Sequence, residues 1–193
     1  MQLPSSVRGF SLPEIMVSLL VLALGVIGSA ALQMTALRTS RDATHRAIAL
    51  ELAADLGDRM RANHRAMALP DAANPYLGVD YRSTMPPRAA GSCHGTAAAC
   101  DPARLAASDL SEWQARIRAA LPPARAVVCR DAAPWAAEAG RLRWDCSGDA
   151  AAPVVVKIGW RQAAAVAADA GASADAAPDA VIAVAAGAGE GAP

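Results

Sequence analysis

From Ile15 to Leu37 the chain runs 23 residues without a charge, a stretch that as an α-helix of about 1.5 Å rise per residue would reach roughly 34 Å and cross a bilayer. The usual apolar region of a signal peptide that is removed whole is only about 7–15 residues long. No small-residue cleavage site closes the far end either, because the run passes through Gln33, Met34 and Thr35 into a charged segment. The pattern therefore predicts a retained transmembrane helix. Beyond it, Arg38 to Asn63 keeps a helical period, with Ile48, Leu52, Leu56 and Met60 one turn apart and charges between them. One long helix results, apolar all round in its first half and apolar along a single stripe in its second, which a globular head would cover. Gly25 and Gly28 each weaken that helix by about 1 kcal/mol relative to alanine, which lets it stretch during packing or lets another helix approach closely.

The rest of the chain predicts a small mixed domain. Leu69 to Cys100, rich in Pro, Gly, Ala and Asn, shows no period and is expected to be a long surface loop. Asp101-Pro102 caps a second helix, whose buried face is Leu110, Trp113, Ile117 and Leu121 and which Pro122-Pro123 stop. Three strands are expected next as an antiparallel meander: Arg125 to Arg130, Arg141 to Cys146 with Leu142, Trp144 and Cys146 inward, and Val154 to Trp160 with its even-numbered residues on one face. Arg161 to Pro193 is mostly Ala, Gly and Asp, too poor in large apolar groups to offset ordering entropy, although Asp179 to Ala185 fits a fourth strand. The fold class is α+β.

Composition narrows the function. Hydrophobic residues make up 54% of the 193, yet there are only one Phe, four Trp and two Tyr, so the core is small. Lys plus Arg and Asp plus Glu number 18 each, which gives no broad nucleic-acid footprint. No Walker loop, metalloprotease helix or nucleophile elbow is present, His45, His64 and His94 fall in solvent-facing contexts, and no enzyme activity or cofactor is expected. Trp113, Trp144 and Trp160 sit at core spacings rather than as a base-stacking platform. Arg59, Arg61 and Arg65 read as a solvated helix end. Cys93, Cys100, Cys129 and Cys146 all lie beyond the membrane segment, where an exported domain meets an oxidising compartment. Four cysteines allow three connectivities; the sequentially adjacent pairs Cys93 with Cys100 and Cys129 with Cys146 are favoured over a zinc site, whose ligand spacing Cys93-His94 with Cys100 does not match.

The leader carries the sharpest signal. Arg8-Gly9-Phe10-Ser11-Leu12-Pro13-Glu14 sets a glycine before an apolar segment that contains one carboxylate, and Pro13 suits a helix's first turn, where its missing N–H is not needed. An ionised Glu in such a segment implies a partner, since an unpaired one costs several kcal/mol. Gly9-Phe10-Ser11-Leu12 with Glu14 resembles the class III signal of type IV prepilins. Leu56-Gly57-Asp58-Arg59-Met60-Arg61-Ala62-Asn63 and Asp109-Leu110-Ser111-Glu112-Trp113 further resemble the PilV family of minor pilins.

The resemblance implies a type IV pilin-like fold, cleavage by prepilin peptidase between Gly9 and Phe10, N-methylation of Phe10, and pairing of Glu14 with a neighbouring subunit's new amine. It divides the chain into a leader (1–9), a transmembrane half-helix (10–37), an amphipathic half-helix (38–65), a periplasmic head (66–162) and an Ala/Gly-rich tail (163–193). Partners implied are prepilin peptidase, other minor and major pilins, the inner membrane and a tip adhesin, with no nucleic acid. The chain would reside as a single-pass inner-membrane protein before assembly and then in the surface pilus. Orientation comes from the resemblance alone, because Arg38, Arg41 and Arg46 follow the helix and only Arg8 precedes it. The competing readings are a minor pseudopilin of a type II secretion system, which shares the signal and helix, and a pilus-borne subunit that binds DNA or a surface ligand.

Overall fold

A computed structural model describes residues 11–94, 99–160 and 180–184. Gly9 and Phe10, and most of the tail, lie outside the described residues. The architecture is α+β, and the chain divides into a first unit ending at Ala43 and a compact head beginning at Thr44.

Helix α1, Leu12–Ala62, runs across that division without a break. Pro13 stands in its first turn, and Ser11 O accepts from the N–H groups of Glu14 and Ile15. In the first unit no residue of the apolar window is buried, and its mean hydropathy of 2.5 over 18 residues is that of a membrane-crossing helix. Hydroxyls within it return to the preceding turn, Ser18 Oγ to Glu14 O at 2.8 Å and Thr35 Oγ1 to Ala31 O at 3.1 Å, which satisfies them without water.

In the head, α1 buries Ala49, Leu52, Ala53, Leu56 and Met60. Ile48, expected in that stripe, is only partly buried beside it, because a strict four-residue row drifts around a helix of 3.6 residues per turn. A short turn α2, His64–Met67, follows. Helix α3, Pro102–Ala120, has Asp101 accepting from Arg104 N–H at 2.8 Å as its cap, and ends with Leu121 before the double proline. Its buried Ala106, Leu110, Trp113 and Ile117 share the core with the α1 stripe.

The sheet has four antiparallel strands in the order β1, Val79–Arg82; β2, Ala124–Arg130; β5, Val154–Trp160; and β6, Ala180–Val184. Ala126, Val128, Val154, Val156 and Ile158 face the helices. Two expectations are corrected. The stretch Leu69 to Cys100 is not all loop: Gly78, at a φ of +71° that favours glycine, turns the chain into β1, where Val79 and Tyr81 are buried. Arg141 to Cys146 is not a strand of the main sheet. Only Arg141–Leu142 (β4) is extended, paired with Trp135–Ala136 (β3) in a separate hairpin. The cause is that β2 and β5 pair with each other along all seven residues, Val127 opposite Lys157, which leaves no lane between them.

Residues 131–153 instead make an excursion from the sheet. Val155 and Lys157, on the sheet face turned away from the helices, are buried. Trp144, expected in the core, is half-buried, with the Arg125 guanidinium 4.7 Å over its ring.

Disulfides join Cys93 to Cys100 and Cys129 to Cys146, closing sequence separations of 7 and 17. Loop-closure entropy assigns the longer bridge about 3 kcal/mol and the shorter about 2.5 kcal/mol. Paired Cys→Ser variants of each bridge, unfolded in urea, are expected to rank in that order.

Candidate functional site

Two clusters and one helix face carry the chemistry of this chain. The first cluster joins α1 to α3. Arg59 Nε lies 3.1 Å from Asp55 Oδ2, and its Nη1 lies 3.1 Å from both Asp109 Oδ1 and Glu112 Oε2. Arg116 of α3 reaches Asp55 at 2.8 Å. Acidic positions on each helix thus meet arginines on the other, in opposite chain directions. Tyr76 Oη donates to Asp109 Oδ2 at 2.5 Å and accepts from Asn63 Nδ2, which also donates to Pro102 O at 2.8 Å. Trp113 Nε1 donates to Leu52 O at 2.8 Å.

The two segments quoted for the PilV resemblance therefore meet in space, Arg59 and Asn63 from one and Asp109, Glu112 and Trp113 from the other. This corrects the reading of Arg59 as a solvated helix end; Arg61, with Asp58, and Arg65 are exposed. A sequence signal existed, since Arg59 stands four residues beyond Asp55, and Asp109 and Glu112 stand three apart, so that each set shares one helix face. Nothing local showed that they face each other.

Electrostatics follow the geometry. Burial disfavours the Arg59 charge, but the Glu112 hydrogen bond and the carboxylates of Asp55 and Asp109 outweigh it and hold the guanidinium further from deprotonation. Burial also pushes Glu112 up, yet His94 and Arg59 together leave it below the usual carboxylate range. His94, from the segment closed by Cys93 and Cys100, contacts Glu112 and is otherwise exposed. Tyr76 is raised well above an ordinary phenol by burial and by its hydrogen bond to Asp109. A group that folds neutral contributes stability below its unfolded pKa, about 10 for tyrosine, and loses it as pH rises beyond that value. The urea midpoint of the head should fall above about pH 10, and Tyr76→Phe should flatten that fall.

The second cluster lies across the sheet from the helices. Lys157, the only lysine among 18 basic residues, is fully buried. Its Nζ donates to Asp131 Oδ2 at 2.6 Å and to the backbone oxygens of Asp145 at 2.7 Å, Arg143 at 3.0 Å and Trp144 at 3.4 Å. One ammonium so organises the oxygens of three successive residues, much as a bound cation would. Burial pushes the Asp131 carboxyl up, but hydrogen bonds from Lys157 and the Ala133 N–H, with the Lys157 and Arg143 charges, bring it below its ordinary value.

The helix face lies in the first unit. Glu14, Gly25 and Ala36 recur every eleven residues, as do Ser18, Ser29 and Ser40, a spacing close to three full turns. Small and polar side chains therefore share one side of an otherwise Leu/Val/Ile surface. A Cβ at Gly25 or Gly28 would meet nothing within 4 Å in this chain, so neither glycine is required by internal packing. His45, expected on a solvent-facing surface, is half-buried, its ring edge-on to Trp160 at 6.4 Å. Among the described residues no group of three or more His, Cys, Asp or Glu is placed to hold a metal.

A long apolar N-terminal helix whose second half packs on a small antiparallel sheet, in a head closed by disulfides, is a pilin-like architecture. No family model matches the sequence, and no curated protein or solved structure matches it either.

Proposed function

We propose that this chain is the precursor of a minor type IV pilin that assembles with other minor and major pilins to prime or cap the pilus. It is a structural subunit without catalysis. Before assembly it spans the inner membrane once with its head in the periplasm; prepilin peptidase cuts behind Gly9 and Phe10 becomes the methylated N-terminus. A tip adhesin is a further partner. The observation that supports this reading best is the helix itself. Its first half buries nothing in its own chain, its glycines serve no internal contact, and it continues as the stripe under the head.

Glu14 gives the mechanism. Cleavage creates an ammonium at Phe10 that needs a carboxylate in an apolar filament interior, and Glu14 of an adjoining subunit supplies it. Removing one member of a buried pair strands the other at a cost of about 3–5 kcal/mol. Glu14→Ala in the native host should leave cleavage and head stability intact while the subunit disappears from sheared pili. Incorporation equal to wild type would defeat the pairing, and an intact Met1 terminus in membrane-derived protein, read by mass, would defeat the processing. Loss of protein secretion with normal pili would instead indicate a type II secretion pseudopilin.

A further inference from the structure

We propose that Arg38 and Arg41 form a binding site for the phosphate of an anionic phospholipid, at the end of the membrane-length run. The site rests on the reading of α1 as a membrane-crossing helix and on nothing about the filament. Both leaflets carry phosphates, so it holds for either orientation.

The uncharged run from Ile15 to Leu37 is 23 residues long, roughly 34 Å of helix against a hydrocarbon core of about 30 Å. It is spent where Arg38 begins. Helix α1 continues without a break through this point, so Arg38 and Arg41 stand about 1.5 and 6 Å beyond Leu37 along the axis. Both depths fall within the polar layer of about 5–7 Å that covers each side of the core. Spaced three apart, the two arginines share a helix face, with Cβ atoms about 5–6 Å from each other. One phosphate can meet both, and each planar guanidinium fork matches a pair of phosphate oxygens.

Among the described residues nothing occupies these groups. Arg38 and Arg41 are exposed, and neither has an ion-pair partner there. Asp42 is the one acid between Glu14 and Glu51, and it pairs with neither arginine. Thr39, between them, returns its hydroxyl to Thr35 O at 3.1 Å, and Ser40 is likewise engaged. The guanidinium groups are therefore the donors that a ligand meets. A second copy of the chain fits less well, because at the same depth it brings two more arginines against one acid and like charges face each other. A zwitterionic headgroup also fits less well, since its own amine competes for the phosphate. A headgroup of net negative charge, such as phosphatidylglycerol, leaves the phosphate to the arginines.

The test titrates the full chain in detergent with phosphatidylglycerol or phosphatidylcholine and reads bound lipid by native mass spectrometry. A saturable phosphatidylglycerol adduct is expected, and Arg38→Gln with Arg41→Gln should weaken it about fivefold or more, the effect of one arginine at an anionic surface. Both positions are exposed and glutamine is a good helix former, so the urea midpoint of the head should match wild type. Arg38→Lys with Arg41→Lys, which keeps both charges and loses only the forks, should bind between the two. Arg61→Gln with Arg65→Gln removes the same charge from exposed positions of the head and should change nothing. Equal binding of phosphatidylcholine, undiminished binding by the Arg38/Arg41 glutamine variant, or an equal loss in the Arg61/Arg65 variant would each overturn the proposal. So would displacement of the lipid by equimolar glycerol phosphate, which would make the site one for a free phosphate, or a dimer in place of the lipid adduct.

Discussion

Lys157→Met is expected to destabilise the head by about 3–5 kcal/mol, because the fully buried Asp131 carboxylate would lose its closest cation and the oxygens of residues 143–145 their common donor. Lys157→Arg should fail as well. A planar fork cannot direct three N–H bonds into a compact set of oxygens as an ammonium does. Urea unfolding of the full chain in detergent measures both. A Met variant within about 1 kcal/mol of wild type would show that the pair contributes nothing beyond its packing, as well-packed apolar replacements of ion pairs sometimes do. Methionine at 157 combined with Asp131→Leu should recover part of the loss, since no charge is then stranded. The pair also sets an acid limit. Asp131 is lowered in the folded state, so its contribution is complete above the ordinary carboxylate pKa of about 3.9 and disappears as pH falls through the lowered value. Lys157→Met should therefore weaken that acid dependence. Being the only lysine, Lys157 gives a direct probe: an amine-reactive reagent should spare it in the folded head and label it on unfolding.

Trp113→Ala should cost about 3–5 kcal/mol, the range for emptying a large aromatic site in a closed core. Trp113 is fully buried among the α1 stripe and the sheet, and its Nε1 bond to Leu52 O fixes α3 against α1. Near-UV circular dichroism and the urea midpoint should both drop. Trp113→Phe, which refills most of the volume and loses only the Nε1–H bond to Leu52 O, should cost less; equal losses would place the energy in the hydrogen bond rather than in packing.

Several elements of this fold are encoded locally and were legible without coordinates. The membrane-length helix follows from an uncharged run, α3 from a cap, a proline and a 3.6-residue stripe, and β2 and β5 from short β-branched runs. The strand β1 was harder, because four residues of alternation sit within a Pro/Gly/Ala-rich stretch too short to establish a period. Trp144 misled for a related reason. Alternation in Arg141 to Cys146 looks like a strand, but the carbonyls from Arg143 to Asp145 turn to a lysine that arrives from Val154–Trp160.

The residue types along the chain decided the long helices, the strands β2 and β5, where the membrane-length run lies and which cysteines stand beyond it, since capping, periodicity and hydropathy act over one or two turns. Tertiary structure decided who meets whom. Arg59 finds Asp109 and Glu112 some fifty positions away, Asp131 finds Lys157, and Trp135 is left outside, because an ion pair or a core is completed only when separate elements close on each other and no local pattern carries that information.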